Sequence, residues 1–283
     1  MVFILDKYSV LMSVYKNEKP RYFMESVESM MKQTIMPEQF VLVQDGPLGE
    51  ELISIIDEYT KKFPDIFTNV ISEHNIGLGA ALTLGLKHCR NELIARMDTD
   101  DISLSNRCEL QLKAFETEPE LDILGTFSSD FEGDINNIIS SRVVPIEQKD
   151  IYERAKRRSP FNHVTVMFKK TSVMKFGGYA NLRRSQDADL FGKMLYGGCK
   201  ARNIDKVLVM VRLSPDRMKR RKSWSHAKNI IGIRKNFWKM GYASFLDFSI
   251  VFCAQIFMCL MPLWAQNIIY TKFLRKKNIK TIH

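Results

Sequence analysis

The sequence has no Cys-x-x-Cys pair, no glycine-rich phosphate loop and very little acid in its last third. Its five cysteines (Cys89, Cys108, Cys199, Cys253 and Cys259) are scattered. That excludes a zinc ribbon or a disulfide framework and points to a reducing compartment. Neither Gly-x-Gly-x-x-Gly nor Gly-Lys-Ser/Thr occurs, so dinucleotide and P-loop readings fail. The start, Met-Val-Phe-Ile-Leu-Asp, lacks the basic head and long apolar core of a signal peptide, and the expectation is a cytoplasmic body. Repeats and low-complexity linkers are also missing. The shortage of acid is local. Residues 1–200 carry 25 Lys+Arg against 29 Asp+Glu, whereas residues 201–283 carry 17 against 3. Such a tail seeks an anionic partner: acidic lipid, a diphosphate or nucleic acid. No nucleic-acid-binding module is recognisable, and no nucleic-acid partner is expected.

What is present first is an alternation of strand and helix patterns. Tyr8 to Val14 reads as a buried strand, and from Arg21 to Thr34 Phe23, Val27, Met30 and Met31 recur at helical spacing. Strands follow at Phe40–Val43 and Asn69–Ser72, helices at Glu51–Phe63 and Ala80–Cys89, and a central strand at Leu93–Met97. This rhythm predicts βαβ units and a parallel sheet. Beyond it come a helix over Asn106–Thr117, antiparallel strands within Leu121–Val144, a strand over Val164–Phe168 and a helix opened by Ser185 to Leu190 and running to about Tyr196.

The central strand ends in Asp98-Thr99-Asp100-Asp101. Alternate spacing puts Asp98 and Asp100 on one side of an extended chain, where ligands gather beyond the carboxyl ends of parallel strands. Two carboxylates aimed at one point repel each other unless a hard cation such as Mg²⁺ or Mn²⁺ sits between them. The plainer reading is a solvated acidic turn with Asp101 capping the next helix. Asp45-Gly46 offers either a carboxylate for a nucleoside or ordinary turn chemistry. The glycines of Asn75-Ile76-Gly77-Leu78-Gly79 let backbone approach a nucleotide. Asp187 and Asp189 open a helix, where carboxylates are favoured electrostatically; the functional alternative makes Asp187 a general base. His163 stands either as an acceptor- or diphosphate-positioning residue or as a satisfied structural histidine.

In the basic tail, Arg217-Met218-Lys219-Arg220-Arg221-Lys222 reads either as a solvated or membrane-facing surface or as a lid over a diphosphate. From Phe248 to Ala265 the chain runs 18 residues without a charge. Gln255, Pro262 and basic residues on both flanks speak against a span. The expectation is an interfacial or re-entrant segment at an anionic bilayer face, with a true span or a dimer or core helix as the alternatives.

Taken in order, these elements resemble the family 2 glycosyltransferases, inverting enzymes that include many bacterial O-antigen and capsule transferases. The resemblance covers roughly residues 8 to 222. It rests on Ser9 to Tyr15 with Asn17-Glu18, Val43-Gln44-Asp45-Gly46, Asn75 to Ala81, Ala95-Arg96-Met97-Asp98-Thr99-Asp100-Asp101, Gln111-Leu112 and Gln186-Asp187-Ala188-Asp189-Leu190. It implies an α/β, GT-A-type (Rossmann-like) fold: a mixed, mainly parallel sheet flanked by helices over residues 1–215. A basic, apolar helical appendage, a lid followed by membrane-associating helices, would occupy residues 216–283. Carried over residue by residue, Val14 and Tyr15 would border the base, and Glu18 and Asp45 would hold the uridine. Gly77, Arg96, Arg220 and Arg221 would lie along the nucleotide-sugar. Asp98 and Asp100 would form the Asp-x-Asp pair holding Mn²⁺ or Mg²⁺, and Gln186 would meet the acceptor, as would His163 from its own place before a strand. Asp187 matches the aspartate of the family's Glu-Asp motif, with Gln186 where glutamate is usual, so the base rests on Asp187 alone.

The resemblance also implies a partner set. The donor would be a UDP-sugar, UDP-galactose or UDP-glucose. The acceptor would be a saccharide on a polyprenyl diphosphate, met at the cytoplasmic face of the inner membrane by a peripheral or monotopic enzyme of surface-polysaccharide assembly. Two rivals differ in kind. A nucleotidyltransferase should show a glycine-rich basic loop after its first strand, and Tyr15 to Pro20 contains no glycine. A non-catalytic cationic binder accounts only for the tail.

Overall fold

A computed structural model describes residues 7–182, 184–213 and 224–261. Its first half follows the alternation in the sequence. Strands β1 (Tyr8–Val14), β2 (Gln39–Asp45), β3 (Phe67–Ser72) and β4 (Leu93–Arg96) are separated by helices α1 (Pro20–Met31), α2 (Glu50–Lys62) and α3 (Leu78–His88). All four strands are parallel and ordered β3-β2-β1-β4. Successive side chains of a strand serve opposite faces, and the core divides accordingly. Leu11, Val41, Val43 and Ile94 pack with Ala81, Leu82 and Leu86 of α3. Val10, Met12, Phe40, Leu42 and Ala95 pack with Phe23, Val27 and Met30 of α1 and with Leu52 and Ile56 of α2. A sheet covered on both faces needs near-continuous apolar strands, which is why these runs show little polar alternation.

The chain reverses across the sheet between β1 and β4, and beyond β4 the sheet becomes mixed. After the short β5 (Ile102–Ser103) and helix α4 (Arg107–Thr117) come β6 (Leu121–Phe131), β7 (Ile138–Arg142), α5 (Gln148–Ala155), β8 (Met167–Lys169), α6 (Lys170–Lys175), α7 (Gln186–Tyr196) and β9 (Lys200–Arg212). Strand β8 is antiparallel to both β4 and β6, and the long β6 and β9 run parallel to each other. The antiparallel strands expected within Leu121–Val144 are therefore β6 and β7, which pair with each other. The expected strand over Val164–Phe168 is only half strand. A 3-10 turn covers His163–Thr165, where Thr165 Oγ1 donates to Asn162 O at 2.9 Å and accepts from Thr126 N at 2.9 Å. That side-chain network outweighs the β-propensity of Val164 and Thr165.

Helices α8 (Trp224–Lys239) and α9 (Phe245–Leu260) follow and pack on each other. The boundary expected near residue 215 falls outside the described residues, as do Arg217–Lys222 and the stretch from Pro262 onward. Among the described residues no helix is long and apolar enough to cross a membrane.

Candidate active site

A cleft of about 690 Å³ opens at the carboxyl ends of β1, β2 and β4, where the reversal of strand order leaves a gap between the loops. From β1 it receives Ser13 and Tyr15, with Glu18 from the following loop. Val14, expected at the base, turns into the core at 0 % exposure while its two neighbours line the cleft.

From β2 comes Asp45, whose carboxylate organises the opposite wall. Oδ1 accepts from Ile76 N at 2.6 Å, and Oδ2 from Gly77 N and Asn75 Nδ2, both at 3.1 Å. Gly46 makes this clasp possible: with φ of +88° it is left-handed, and a Cβ there would stand 2.7 Å from Asn75 N. Asp45 and Gly77, predicted separately, are thus one unit beside the cleft.

The end of β4 supplies Asp98, Asp100 and Asp101, each offering a carboxylate oxygen within 4.8 Å of the others. Their surroundings differ. Asp98 is ion-paired with the buried Arg96, and its backbone carbonyl accepts from Ser26 Oγ at 2.6 Å. Asp101 is 3 % exposed and accepts from Arg212 N at 2.9 Å, so it pins the end of β9 instead of capping α4. Arg212 in turn donates Nε to Asp100 O at 3.0 Å and Nη2 to Glu25 at 2.5 Å, with its guanidinium 4.1 Å from the Tyr22 ring centroid. Hard oxygens gathered this closely match the donor set of Mg²⁺ or Mn²⁺.

Arg96 lies beneath this rim, 1 % exposed and outside the cleft wall. Burial pulls its pKa down, but the Asp98 carboxylate outweighs that and keeps the guanidinium charged. Nε and Nη1 find no partner among the described residues. On its other side stand His163 and Tyr179, joined at 3.0 Å between Nε2 and the phenol oxygen and packed with Phe191. Burial, and then the Arg96 charge, hold His163 well below 6.5, so the ring is neutral. His163 is thus satisfied by Tyr179 and does not line the cleft.

Asp187 reaches the same neighbourhood from α7. Burial raises the Tyr179 phenol; the Arg96 cation lowers it again, and the Asp187 and Asp98 carboxylates add to the rise. One hydroxyl therefore senses both acidic ends. The helix start is set by Ser185, a left-handed non-glycine at φ of 63°. Such a conformation costs about 1 kcal/mol or more and persists where the surroundings enforce it. Asp187 and Asp189 both fall in the first turn, but Asp189 is buried and bound to Lys193 Nζ at 2.6 Å. Gln186 is 5 % exposed, and its Oε1 has no donor among the described residues. A Cβ on Gly79 would lie 3.3 Å from Gln186 Cβ, so the start of α7 abuts the start of α3 beside the Gly77-Leu78 wall of the cleft.

Of the predicted residues, Tyr15, Glu18, Asp45, Gly77, Asp98 and Asp100 meet in the cleft wall. Arg96 and Gln186 are buried and His163 is tied to Tyr179, none of them in the wall, Asp187 is half-buried at the start of α7, and Arg220 and Arg221 lie outside the described residues. Sequence reasoning missed Arg184, Arg212 and Tyr179. Arg184 and Arg212 bring positive charge to the cleft, and Arg212 had a legible signal, since Val207 to Val211 is an apolar strand pattern ending in a cation.

Comparison with known proteins gives this geometry a context. Residues 9–183 match the model of glycosyl transferase family 2. The chain is 36 % identical over 270 residues to the Escherichia coli UDP-Gal:alpha-D-GlcNAc-diphosphoundecaprenol beta-1,3-galactosyltransferase, covering 95 % of this chain and 97 % of that one. It is 31 % identical over 265 residues to the amylovoran biosynthesis glycosyltransferase AmsE of Erwinia amylovora, covering 94 % and 98 %. In fold it is similar to the mannosyltransferase PcManGT from Pyrobaculum calidifontis, solved with GDP-Man and Mn²⁺. That match has a TM-score of 0.62 at 17 % identity and covers 93 % of this chain and 72 % of that one. The Rossmann-like GT-A expectation is met, and the chain belongs to glycosyl transferase family 2.

Proposed function

We propose that this glycosyltransferase is an inverting hexosyltransferase that moves galactose or glucose from its UDP-sugar to a saccharide carried on a polyprenyl diphosphate. It would work as a peripheral protein at the cytoplasmic face of the inner membrane, in the assembly of a surface polysaccharide. The observation that carries this reading is the meeting of the Asp98, Asp100 and Asp101 oxygens within 4.8 Å beside a cleft also walled by Tyr15, Glu18 and Asp45. The E. coli relative, whose name states a UDP-Gal donor and a GlcNAc-diphosphoundecaprenol acceptor, supports the donor and acceptor classes.

Tyr15 would pack on the base, while Glu18 and Asp45 would accept from uridine. Asp98 and Asp100 would hold Mn²⁺ or Mg²⁺, which when bound supplies positive charge to the diphosphate. Arg96 keeps Asp98 aimed at the cleft, and Arg212 and Arg184 bring positive charge to its rim. Asp187 takes the proton of the acceptor hydroxyl as that oxygen bonds to the anomeric carbon from the face opposite UDP. The bond from anomeric carbon to phosphate oxygen breaks with its electron pair on UDP, so an α-linked donor gives a β-glycoside. Gln186 Oε1, buried without a donor, would accept from a second acceptor hydroxyl. Arg220 and Arg221 are assigned to the diphosphate from sequence position alone.

The test is a screen of UDP-sugars with Mn²⁺, reading UDP release with and without a GlcNAc-diphosphate-lipid acceptor. Acceptor-dependent release with one hexose donor is expected. Absence of release with every donor would overturn the assignment.

A further inference from the structure

Among the described residues, helix α9 turns toward solvent a face without a charged group. Its one charged residue, Asp247, points inward, where Oδ1 pairs with Arg157 Nε at 2.6 Å and Oδ2 accepts from Ser244 N at 2.9 Å to cap the helix. Outward stand Phe245, Leu246, Ile250, Phe252, Phe257 and Leu260, between 42 % and 74 % exposed. At 100° per residue these positions span about half the helix circumference. The water-facing side of a soluble amphipathic helix is normally polar, and a contiguous uncovered apolar face marks a surface that binds something. Beside it, α8 exposes Lys228, Lys235 and Lys239, whose helical spacing sets them in one row, with Trp238 stacked on Phe248 of α9 at 5.6 Å.

Charge decides between the possible occupants. With 17 basic residues against 3 acidic over 201–283, a second copy would bring the same sign to the contact, whereas an anionic bilayer brings the opposite one. Length decides the orientation. Sixteen residues make a helix of about 24 Å, shorter than the roughly 30 Å hydrocarbon core. The apolar side therefore fits along the interface and not across it.

The hairpin is also joined to the catalytic layer. Phe237 of α8 is fully buried over Gly192 of α7, where a Cβ would stand only 2.1 Å from the Phe237 ring. Arg234 is buried beside it and donates Nη1 to Ala155 O at 2.8 Å. The carboxylates of Asp187 and Asp189 both act on that guanidinium. Helix α7, which begins with Gln186-Asp187, thus shares a packed contact with the helix pair that carries the apolar face.

We propose that α8 and α9 form a seat on an anionic bilayer, with Phe245 to Leu260 at the acyl boundary and the α8 lysines at the lipid phosphates. The seat fixes the height at which Asp187 meets an acceptor held in the membrane. The inference deepens the lipid-linked acceptor reading above and rests on it.

The test uses the full chain in vesicle flotation, with phosphatidylethanolamine–phosphatidylglycerol vesicles against phosphatidylcholine alone. Transfer is measured in parallel to a long-chain acceptor embedded in vesicles and to a short-chain, water-soluble analogue. The protein is expected to float with the anionic vesicles and to be released by salt. The triple variant Leu246→Glu, Phe257→Glu, Leu260→Glu should bind about a hundredfold less. It should lose at least about tenfold in rate on the embedded acceptor while keeping its rate on the soluble one. Lys228→Glu with Lys235→Glu should abolish the preference for anionic lipid. Failure to float with either vesicle overturns the seat, as does a dimer in solution that the triple variant dissociates. Equal loss on both acceptors, with an unchanged melting temperature, overturns the coupling to Asp187. Flotation without transfer to any acceptor would refute the substrate reading and leave the lipid contact standing, so the two failures are distinguishable.

Discussion

The molecule has two acidic clusters of similar appearance, one at the end of β4 and one at the start of α7, and in both the carboxylates have divided their work. In the first, Asp101 is buried and accepts from Arg212 N, while Asp98 and Asp100, more exposed, line the cleft beside it. In the second, Asp189 is buried and spent on Lys193, while Asp187 stays partly exposed beside Tyr179. Each cluster thus pairs a buried carboxylate held by a structural partner, Arg212 N for Asp101 and Lys193 Nζ for Asp189, with a more exposed one. The difference lies in how the working side chain is presented. The β4 cluster sits on a loop stitched down by Ser26 and Arg212. Asp187 depends on a strained residue, Ser185, and on the helix packed behind it.

This division is sharpest where a conservative change separates the two roles. Asp187→Asn should lower kcat by about a thousandfold, the range of a positioned general base, with the KM for the UDP-sugar unchanged. Asp189→Asn should cost less than about tenfold in kcat and show itself in thermal unfolding, since it weakens a tie that holds the helix start. Steady-state rates and melting curves on both variants decide the matter; equal kinetic losses would break the comparison. At β4 the same contrast is expected in reduced form. Asp100→Ala should lose at least about a hundredfold in metal-stimulated activity with an unchanged melting temperature. Asp101→Ala leaves the buried Arg212 N–H without its acceptor and should destabilise the fold by about 2 kcal/mol, measured by urea denaturation.

Much of this layout was legible in the chain. Apolar runs buried on both sides dictated β1, β2 and β4, and Asp-x-Asp spacing placed two carboxylates at one mouth. The Gln186-Asp187 helix start could be read from helix electrostatics and the family pattern together. The second half was harder because its elements depend on distant partners. Strand β9 begins Lys200-Ala201-Arg202-Asn203, which has no strand pattern of its own, and is held there by pairing with Leu121, Ile123, Leu124 and Gly125 of β6. The division between Asp98 and Asp101 was hidden for the same reason, since the donor that captures Asp101 is 111 positions away. The fate of His163 turned on Tyr179, sixteen positions on, whose hydroxyl meets the ring where both pack against Phe191 of α7.

His163 supplies the smallest effect and a check on the layer linking the two clusters. Its ring is neutral because burial and the Arg96 cation both disfavour a proton, while in the unfolded chain it titrates near 6.5. The unfolded state therefore binds the extra proton first as pH falls, and folded stability decreases below about 6.5, with a slope of up to about 1.4 kcal/mol per pH unit. Above that value both states are neutral and the contribution is constant. His163→Gln keeps a group able to hydrogen-bond Tyr179 but removes the titration. Urea midpoints between pH 5 and pH 7 should then fall less steeply in the variant, by up to that amount. A parallel slope would mean that the ring is reached by protons in the folded state and that Arg96 does not face it. The guanidinium would then no longer join the acidic rim at Asp98 to the start of α7.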